Sequence, residues 1–384
     1  MFLGDESTTL EPVKKSSSAP RRAGFDMQPA AVQPSSMKLV PTDGDSLSLQ
    51  DLGGATSSGG AIPGTARGAR WAQSGGAQGG SAAVEPAWVL AARTPSAIPV
   101  LIAVPHAGRC YPPEVSDRLR NPNHAALRLE DRMVDRLGEA IAEQTGAALL
   151  VARAPRAMID LNRAADDVDW SMFARTHGES HRPLPPPNGR AAGGLGIVPR
   201  RLPGIGELWK RPHHRAELDL RLAQVHAPYH AELGRQLARL RDRWGAALLL
   251  DLHSMPPVTP RGDNAAPEFV VGDRFGASCS GTLSAMAFAW FAQGGRLAAH
   301  NRPYAGGYAL DRHADQRRGI HAFQLEIDRS RYLDSHLLEP GPGFAAMADH
   351  LAGLVRALAV EVAAIGRGAI ARRRASEGWA EAAE

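Results

Sequence analysis

Cysteine is nearly missing from this chain: 384 residues hold two, Cys110 and Cys279. Two thiols cannot make a disulfide framework or a cysteine-rich zinc module, and such sparse use points to a reducing compartment, the cytoplasm. Aromatic residues make up only 5%, which argues against the base-stacking platforms of single-strand nucleic-acid binders. No run approaches the ~20 apolar residues of a membrane span, so a spanning protein is excluded. Lysine is scarce as well. Of 44 basic residues four are lysine (Lys14, Lys15, Lys38, Lys210) and 40 are arginine. The arginines are interspersed with acids rather than gathered in a basic stripe, so the net charge of +4 does not read as a nucleic-acid footprint. A cleft for small acidic molecules fits the same charge better.

What is there divides into two parts. The chain holds 40 glycines and 29 prolines, more than a compact fold needs. They concentrate early: SSSAP, TSSGGAIPG and SGGAQGGS dominate residues 1–86, where apolar residues keep neither a two-residue nor a 3.6-residue period. This stretch reads as a disordered tail. It has no apolar core after Lys14 and Lys15, and the residues after Arg21-Arg22 are too polar for a twin-arginine signal.

Residues 87–384 read as one catalytic-sized α/β domain. Strands are expected at 98–105, 146–153, 245–254, 269–273, 296–301 and 319–328. Helices are expected at 129–144, from 216 to Trp244 with a kink at Pro228, from Ser278, and at 343–365. Alternating strands and helices predict a central, mostly parallel mixed sheet flanked by helices, with ligands at the carboxyl ends of the strands. The Pro/Gly-rich segment 165–204 is too long for an idle connection and is a candidate substrate loop.

Three polar residues fall where apolar strands end. His106 follows IPVLIAVP, His253 follows ALLLDL, and Glu326 lies within AFQLEID. One histidine after a strand is usually structural. Two at one sheet edge, with a carboxylate at hand, make a zinc site of the hydrolytic kind, where three His or carboxylate ligands leave a position for water. The third ligand is open on spacing alone: Glu130 or Asp131, adjacent at the start of the next helix, either of which could instead only favour the helix N-terminus. Asp251, two residues before His253 on the same strand face, could orient that ligand. His226 and His230 stand four apart, but Ala227 follows His226, so the metalloprotease helix pattern is absent. His213-His214 reads as a surface pair at a helix start, Cys110 as an inert thiol, and Gly306-Gly307 as a turn that lets backbone approach a ligand.

These residues resemble a known family, the N-formylglutamate amidohydrolases. The resemblance spans roughly residues 98–335 and is carried by PHAG (105–108), DRMVDRL (131–137), ARAPRAMIDLNR (152–163), PYH (228–230), DLHS (251–254), NRPYAGGY (301–308) and HAFQLEIDR (321–329). It implies a phosphorylase/hydrolase-like fold of the zinc carboxypeptidase kind, a Zn2+ ion and hydrolysis of N-formyl-L-glutamate in histidine degradation. The metal positions carry over to His106, Asp131 and His253. Glu326 is the expected general base, and Arg156 would polarise the formyl oxygen or bind a carboxylate. Asn162, Arg163, Arg302 and Tyr308 are the expected substrate contacts, with Asp160 bracing Arg163. The alternatives are a related deacylase of another N-acyl amino acid, or a binding protein of the same fold that does no chemistry.

Overall fold

The computed structural model describes residues 65–67, 86–175, 184–259 and 265–381, all within the unit Gly60–Glu384. The expected tail over 1–86 lies outside the described residues apart from Pro86 and the short strand β1 (Thr65–Arg67), which pairs antiparallel with β2 (Trp88–Ala91). The remaining strands are β3 (Val100–Val104), β4 (Ala148–Ala152), the hairpin β5 (Arg201–Leu202) and β6 (Gly206–Glu207), β7 (Ala247–Met255), β8 (Phe269–Gly272), β9 (Ala298–His300) and β10 (Ile320–Asp328). Eight of them form one sheet in the order β1-β2-β4-β3-β7-β10-β8-β9. The central four, β4-β3-β7-β10, are parallel; β8 joins β10 antiparallel, and the sheet is mixed as the sequence predicts.

Helices cover both faces. They are α1 (Pro113–Ser116), α2 (Pro122–Leu129), α3 (Val134–Thr145), α4 (Arg215–Arg221), α5 (Ala227–Trp244), α6 (Gly281–Gln293), α7 (Tyr308–His313) and α8 (Phe344–Glu381). Strand side chains alternate between the faces. Leu101, Leu150 and Leu249 pack with Tyr229, Leu233 and Leu237 of α5 on one face. Ile102, Leu248, Leu250, Phe323 and Leu325 pack with α3, α6 and α8 on the other. That alternation places the chemistry: Asp251 and His253 continue the face of Leu249, and Gln324 and Glu326 that of Ala322. Both pairs are buried.

Two local readings change. The helix expected over 129–144 is broken, because α2 ends at Leu129 and α3 begins at Val134, with Met133 at φ 58° between them. Glu130 and Asp131 therefore sit in a turn, not side by side on a helix. The kink expected at Pro228 is a π-turn over Leu222–His226, just before Ala227 and Pro228 start α5. Proline at that position needs no amide donor, and the wider turn accommodates it.

Candidate metal centre and cavity

His106 lies two residues beyond β3. The glycine of its PHAG run passes so close to the Ala154 carbonyl that a side chain there would clash, while Cys110 N donates to Arg153 O at 3.2 Å. Asp131 is held in the turn by its own amide, which donates to the His106 carbonyl at 2.9 Å. His253 stands near the carboxyl end of β7. The three residues are buried, and one ligand atom from each lies within 4.8 Å of the others. The Asp131 carboxylate sits between the rings, 3.0 Å from His253 Nδ1 and 3.5 Å from His106 Nδ1.

The far side of each ring is also held by a carboxylate. His106 Nε2 is 2.7 Å from Asp160 Oδ1, and His253 Nε2 is 2.9 Å from Asp251 Oδ2. A carboxylate on Nε2 keeps the proton there and leaves the Nδ1 lone pair to bind a cation. Two imidazole nitrogens and a carboxylate, each oriented from behind, are a donor set that fits a divalent metal ion. Glu130 takes no part: its carboxylate pairs with Arg132 at 3.0 Å. Arg109, three residues after His106, pairs with Asp135 at 2.6 Å.

Glu326 lies opposite His253 in the parallel register of β10 and β7, and Gln324 lies opposite Asp251. Gln324 Nε2 donates to Glu326 Oε1 at 2.7 Å. Burial pushes the Glu326 carboxyl up to about 7, with His253 and Arg156 opposing the shift and Asp131 and Asp251 adding to it. For Asp131 burial also works upward, but His106 and His253 hold it well below the usual carboxylate range. Burial would lower His253, yet Asp251 and Asp131 keep it well above the usual histidine value.

These groups open on a cavity of about 300 Å³. Five arginines line it (Arg128, Arg156, Arg163, Arg190, Arg329) against two acids, Asp131 and Glu326. Arg156 Nε is tied to Asp160 Oδ2 at 2.8 Å. Arg163 donates from Nε to Leu195 O at 2.9 Å and from Nη1 to Asn162 O at 2.8 Å. Asp160 thus braces His106 and Arg156 closely, and Arg163 only from 4.0 Å. Asn162 lines the cavity, but its amide is engaged inside the protein: Nδ2 donates to Gln324 at 3.1 Å, and Oδ1 accepts from Ala309 N at 3.0 Å.

Two expected substrate contacts do not line the cavity. Arg302 is exposed. Tyr308 starts α7, stacks on His226 and accepts from Arg312. Tyr304 takes the place between them in the same motif, with Gly306 and Gly307 beside it. Arg128, Arg190, Arg329, Ser254, Gln324 and Tyr304 were missed by sequence reasoning. Ser254, Tyr304, Gln324 and Arg329 had a signal, since each lies in a motif that carries the resemblance, and Arg190 lies in the candidate substrate loop; Arg128, one of 40 arginines, had none. Segment 165–204 supplies Arg190 and Leu195 to the wall, and its residues 176–183 lie outside the described residues. His213, expected at the surface, is buried against the Trp209 ring. A second groove, of about 320 Å³, lies at the β2–β4 edge and is lined mainly by Val89, Ala91, Leu149 and Val151; none of the site residues reaches it.

Comparison with known proteins points one way. Residues 98–333 match the family of N-formylglutamate amidohydrolases. The chain is 32% identical over 279 residues to an N-formylglutamate deformylase of Pseudomonas aeruginosa, covering 70% of this chain and 94% of that one. It is 32% identical over 239 residues to the N-formylglutamate deformylase of Pseudomonas putida, covering 62% and 82%. Among solved structures, the N-formylglutamate amidohydrolase of Ralstonia eutropha superposes with a TM-score of 0.63 at 28% identity, over 73% of this chain and 98% of that one.

Proposed function

The chain belongs to the N-formylglutamate amidohydrolase family, and from that premise we propose that it hydrolyses N-formyl-L-glutamate to formate and L-glutamate. The observation that carries the reading is the convergence of His106, Asp131 and His253 beside Glu326 in a cavity walled by arginine. A dianionic substrate needs cations on entering such a site, because burying its carboxylates unpaired would cost several kcal/mol.

His106, Asp131 and His253 would hold a divalent ion, and zinc suits two imidazoles and a carboxylate. Bound there, it supplies a nucleophile from water near neutral pH and polarises the formyl carbonyl. The chain's own residues do the rest. Arg163 binds one substrate carboxylate, its planar fork being suited to two parallel hydrogen bonds. Arg156, anchored through Nε, receives the second carboxylate or the negative charge that develops on the formyl oxygen. Glu326 accepts a proton from the attacking water as the carbon–oxygen bond forms. It returns that proton to the nitrogen as the carbon–nitrogen bond breaks, leaving formate and the amine of glutamate. A carboxyl pushed up to about 7 is suited to both halves of that transfer at neutral pH. Asn162 acts by holding Gln324 and α7 in place.

The two cysteines and the lack, among the described residues, of a helix long and apolar enough to cross a membrane support work in the cytoplasm, where the reaction would release glutamate from the formylated product of histidine degradation. The test is formate release from N-formyl-L-glutamate by the purified protein, before and after chelation and after zinc is restored. Chelator-sensitive release is expected, with N-acetyl-L-glutamate a poor substrate. Glu326→Gln should keep the metal and lose a factor of about 10²–10⁴ in kcat. No release from protein holding one metal per chain would overturn the substrate, and normal turnover by Glu326→Gln would overturn the base.

A further inference from the structure

The mechanism leaves one buried polar cluster unused. His226 and His230 lie at the start of α5, and His313 and Tyr308 at the two ends of α7. His226 and His230 are 4.5 Å apart between ring centres, His230 stacks on His313 at 5.2 Å, and Tyr308 packs against both His226 and His230. Their bonds converge on one short run of chain. His230 Nε2 meets the Leu161 carbonyl at 3.0 Å, and His226 Nε2 meets the Arg163 carbonyl at 2.9 Å.

A carbonyl oxygen only accepts, so both rings carry their hydrogen on Nε2. His230 Nδ1 is then a lone pair, and it accepts from His313 Nε2 at 3.0 Å. Burial holds all three rings below the usual histidine value, so near neutral pH they are uncharged, in keeping with this arrangement of donors and acceptors. The other two carbonyls of the run are also taken: Arg163 N donates to Asp160 O at 3.2 Å, and Arg163 Nη1 donates to Asn162 O at 2.8 Å. The Asn162 amide is capped by Asp160 Oδ1 at 2.8 Å. Every carbonyl from Asp160 to Arg163 is therefore spent on fixing the run. Burying an imidazole is costly unless its polar atoms are paired, and the two buried rings, His226 and His230, are paired with the segment that carries Arg163 into the cavity. Among the described residues these rings do not gather ligand atoms around one point as His106, Asp131 and His253 do.

We propose that His226 and His230 are positioning residues for substrate binding: they clamp the backbone on either side of Asn162 and so set where the Arg163 guanidinium meets a substrate carboxylate. The proposal rests on the reading above that Arg163 binds that carboxylate. The His226 bond acts through the backbone at the Arg163 end of the run and touches neither the metal ligands nor Glu326, so its loss should appear in binding rather than in chemistry.

The experiment is a kinetic cycle with zinc-loaded protein and N-formyl-L-glutamate, run for wild type, His226→Phe, Arg163→Ala and the double variant. His226→Phe should raise KM about tenfold to a hundredfold, on the order of what a misplacement of about 1 Å costs. It should leave kcat nearly unchanged and metal content equal to wild type. In the Arg163→Ala background the same change should add no further increase. His226→Gln, whose Nε2 amide can reach the same carbonyl, should recover most of the lost affinity, whereas the shorter His226→Asn should not. These last two keep the test open if the phenylalanine variant does not fold. Wild-type KM in His226→Phe or His226→Asn would overturn the proposal. So would an equal rise with and without Arg163, which would mark a general structural role. If Arg163→Ala alone leaves KM unchanged, the reading of Arg163 fails first, and that result is distinct from either.

Discussion

Two pairs of buried histidines among the described residues differ in almost everything except spacing. The rings of His106 and His253 are 4.7 Å apart, and those of His226 and His230 are 4.5 Å apart. In the first pair each Nε2 rests on a carboxylate and Asp131 lies between the Nδ1 atoms. In the second pair each Nε2 rests on a backbone carbonyl. The electrostatics follow. Asp251 and Asp131 outweigh burial and hold His253 well above the usual histidine value, whereas burial and the neighbouring rings push His230 down to about 2. A pair of imidazoles becomes a cation site when carboxylates stand behind and between the rings. Without them the same pair becomes a neutral clamp. Distance between rings does not tell the two apart; the partners do.

The strongest way to break this comparison is to exchange the fates of the two pairs. His253→Ala or Asp131→Asn should lower the metal content of purified protein from about one ion per chain to near zero, and formate release should fall to background, because a three-ligand site does not survive loss of a ligand. His230→Ala should keep its metal. Elemental analysis of the three proteins, purified with zinc, decides it; metal loss in His230→Ala would mean the second pair also serves the ion.

The first pair was legible in sequence because strands alternate strictly and end visibly. A polar residue that follows a run such as IPVLIAVP or ALLLDL has to emerge at the sheet edge. Glu326 and Asp251 were legible for the same reason. The choice between Glu130 and Asp131 was not, since it depends on a turn at Met133 that interrupts a helical pattern without a proline or glycine to announce it. The substrate wall was the least legible part. Arg302 and Tyr308 belong to a motif that runs through Asn301 at φ 59° and Gly306 at φ 99°. In such a segment no period tells which side chain faces inward, and Tyr304 faces the cavity instead. Asn162 lines the cavity as expected, and its amide also bonds to Gln324 and Ala309, residues far away in sequence that no local pattern could name.

A smaller change sharpens what the carboxylate behind a ring contributes. Burial alone would raise the Asp160 carboxyl, but Arg156 and His106 hold it well below the usual range, so it faces His106 as an anion. Asp160→Asn keeps the size and a hydrogen-bonding atom while removing the charge. It should weaken zinc binding about 10–100-fold, the usual effect of losing such a partner. Competition with a chromogenic chelator measures this directly, and an unchanged affinity would mean that orientation alone, without the charge, suffices.

The titration of the second pair, as distinct from its clamping of the backbone, is read in stability. A histidine in the unfolded chain titrates near pH 6.5. In the folded protein burial pushes His230 to about 2 and, with Arg312 adding to it, His313 to about 3. The folded-state values are depressed, so the unfolded chain binds more protons as soon as the pH drops below about 6.5. Stability from these rings is therefore full above that pH, declines below it and is gone only near their folded values. For His230 the slope is about 1.4 kcal/mol per pH unit. Urea midpoints between pH 7.5 and 5 should fall more steeply for wild type than for His230→Gln, which keeps a donor for the Leu161 carbonyl and cannot titrate. A residual slope from His313 should remain in the variant. Parallel curves for the two proteins would show that His230 takes up its proton while folded, and the clamp would then be no more neutral than the metal pair.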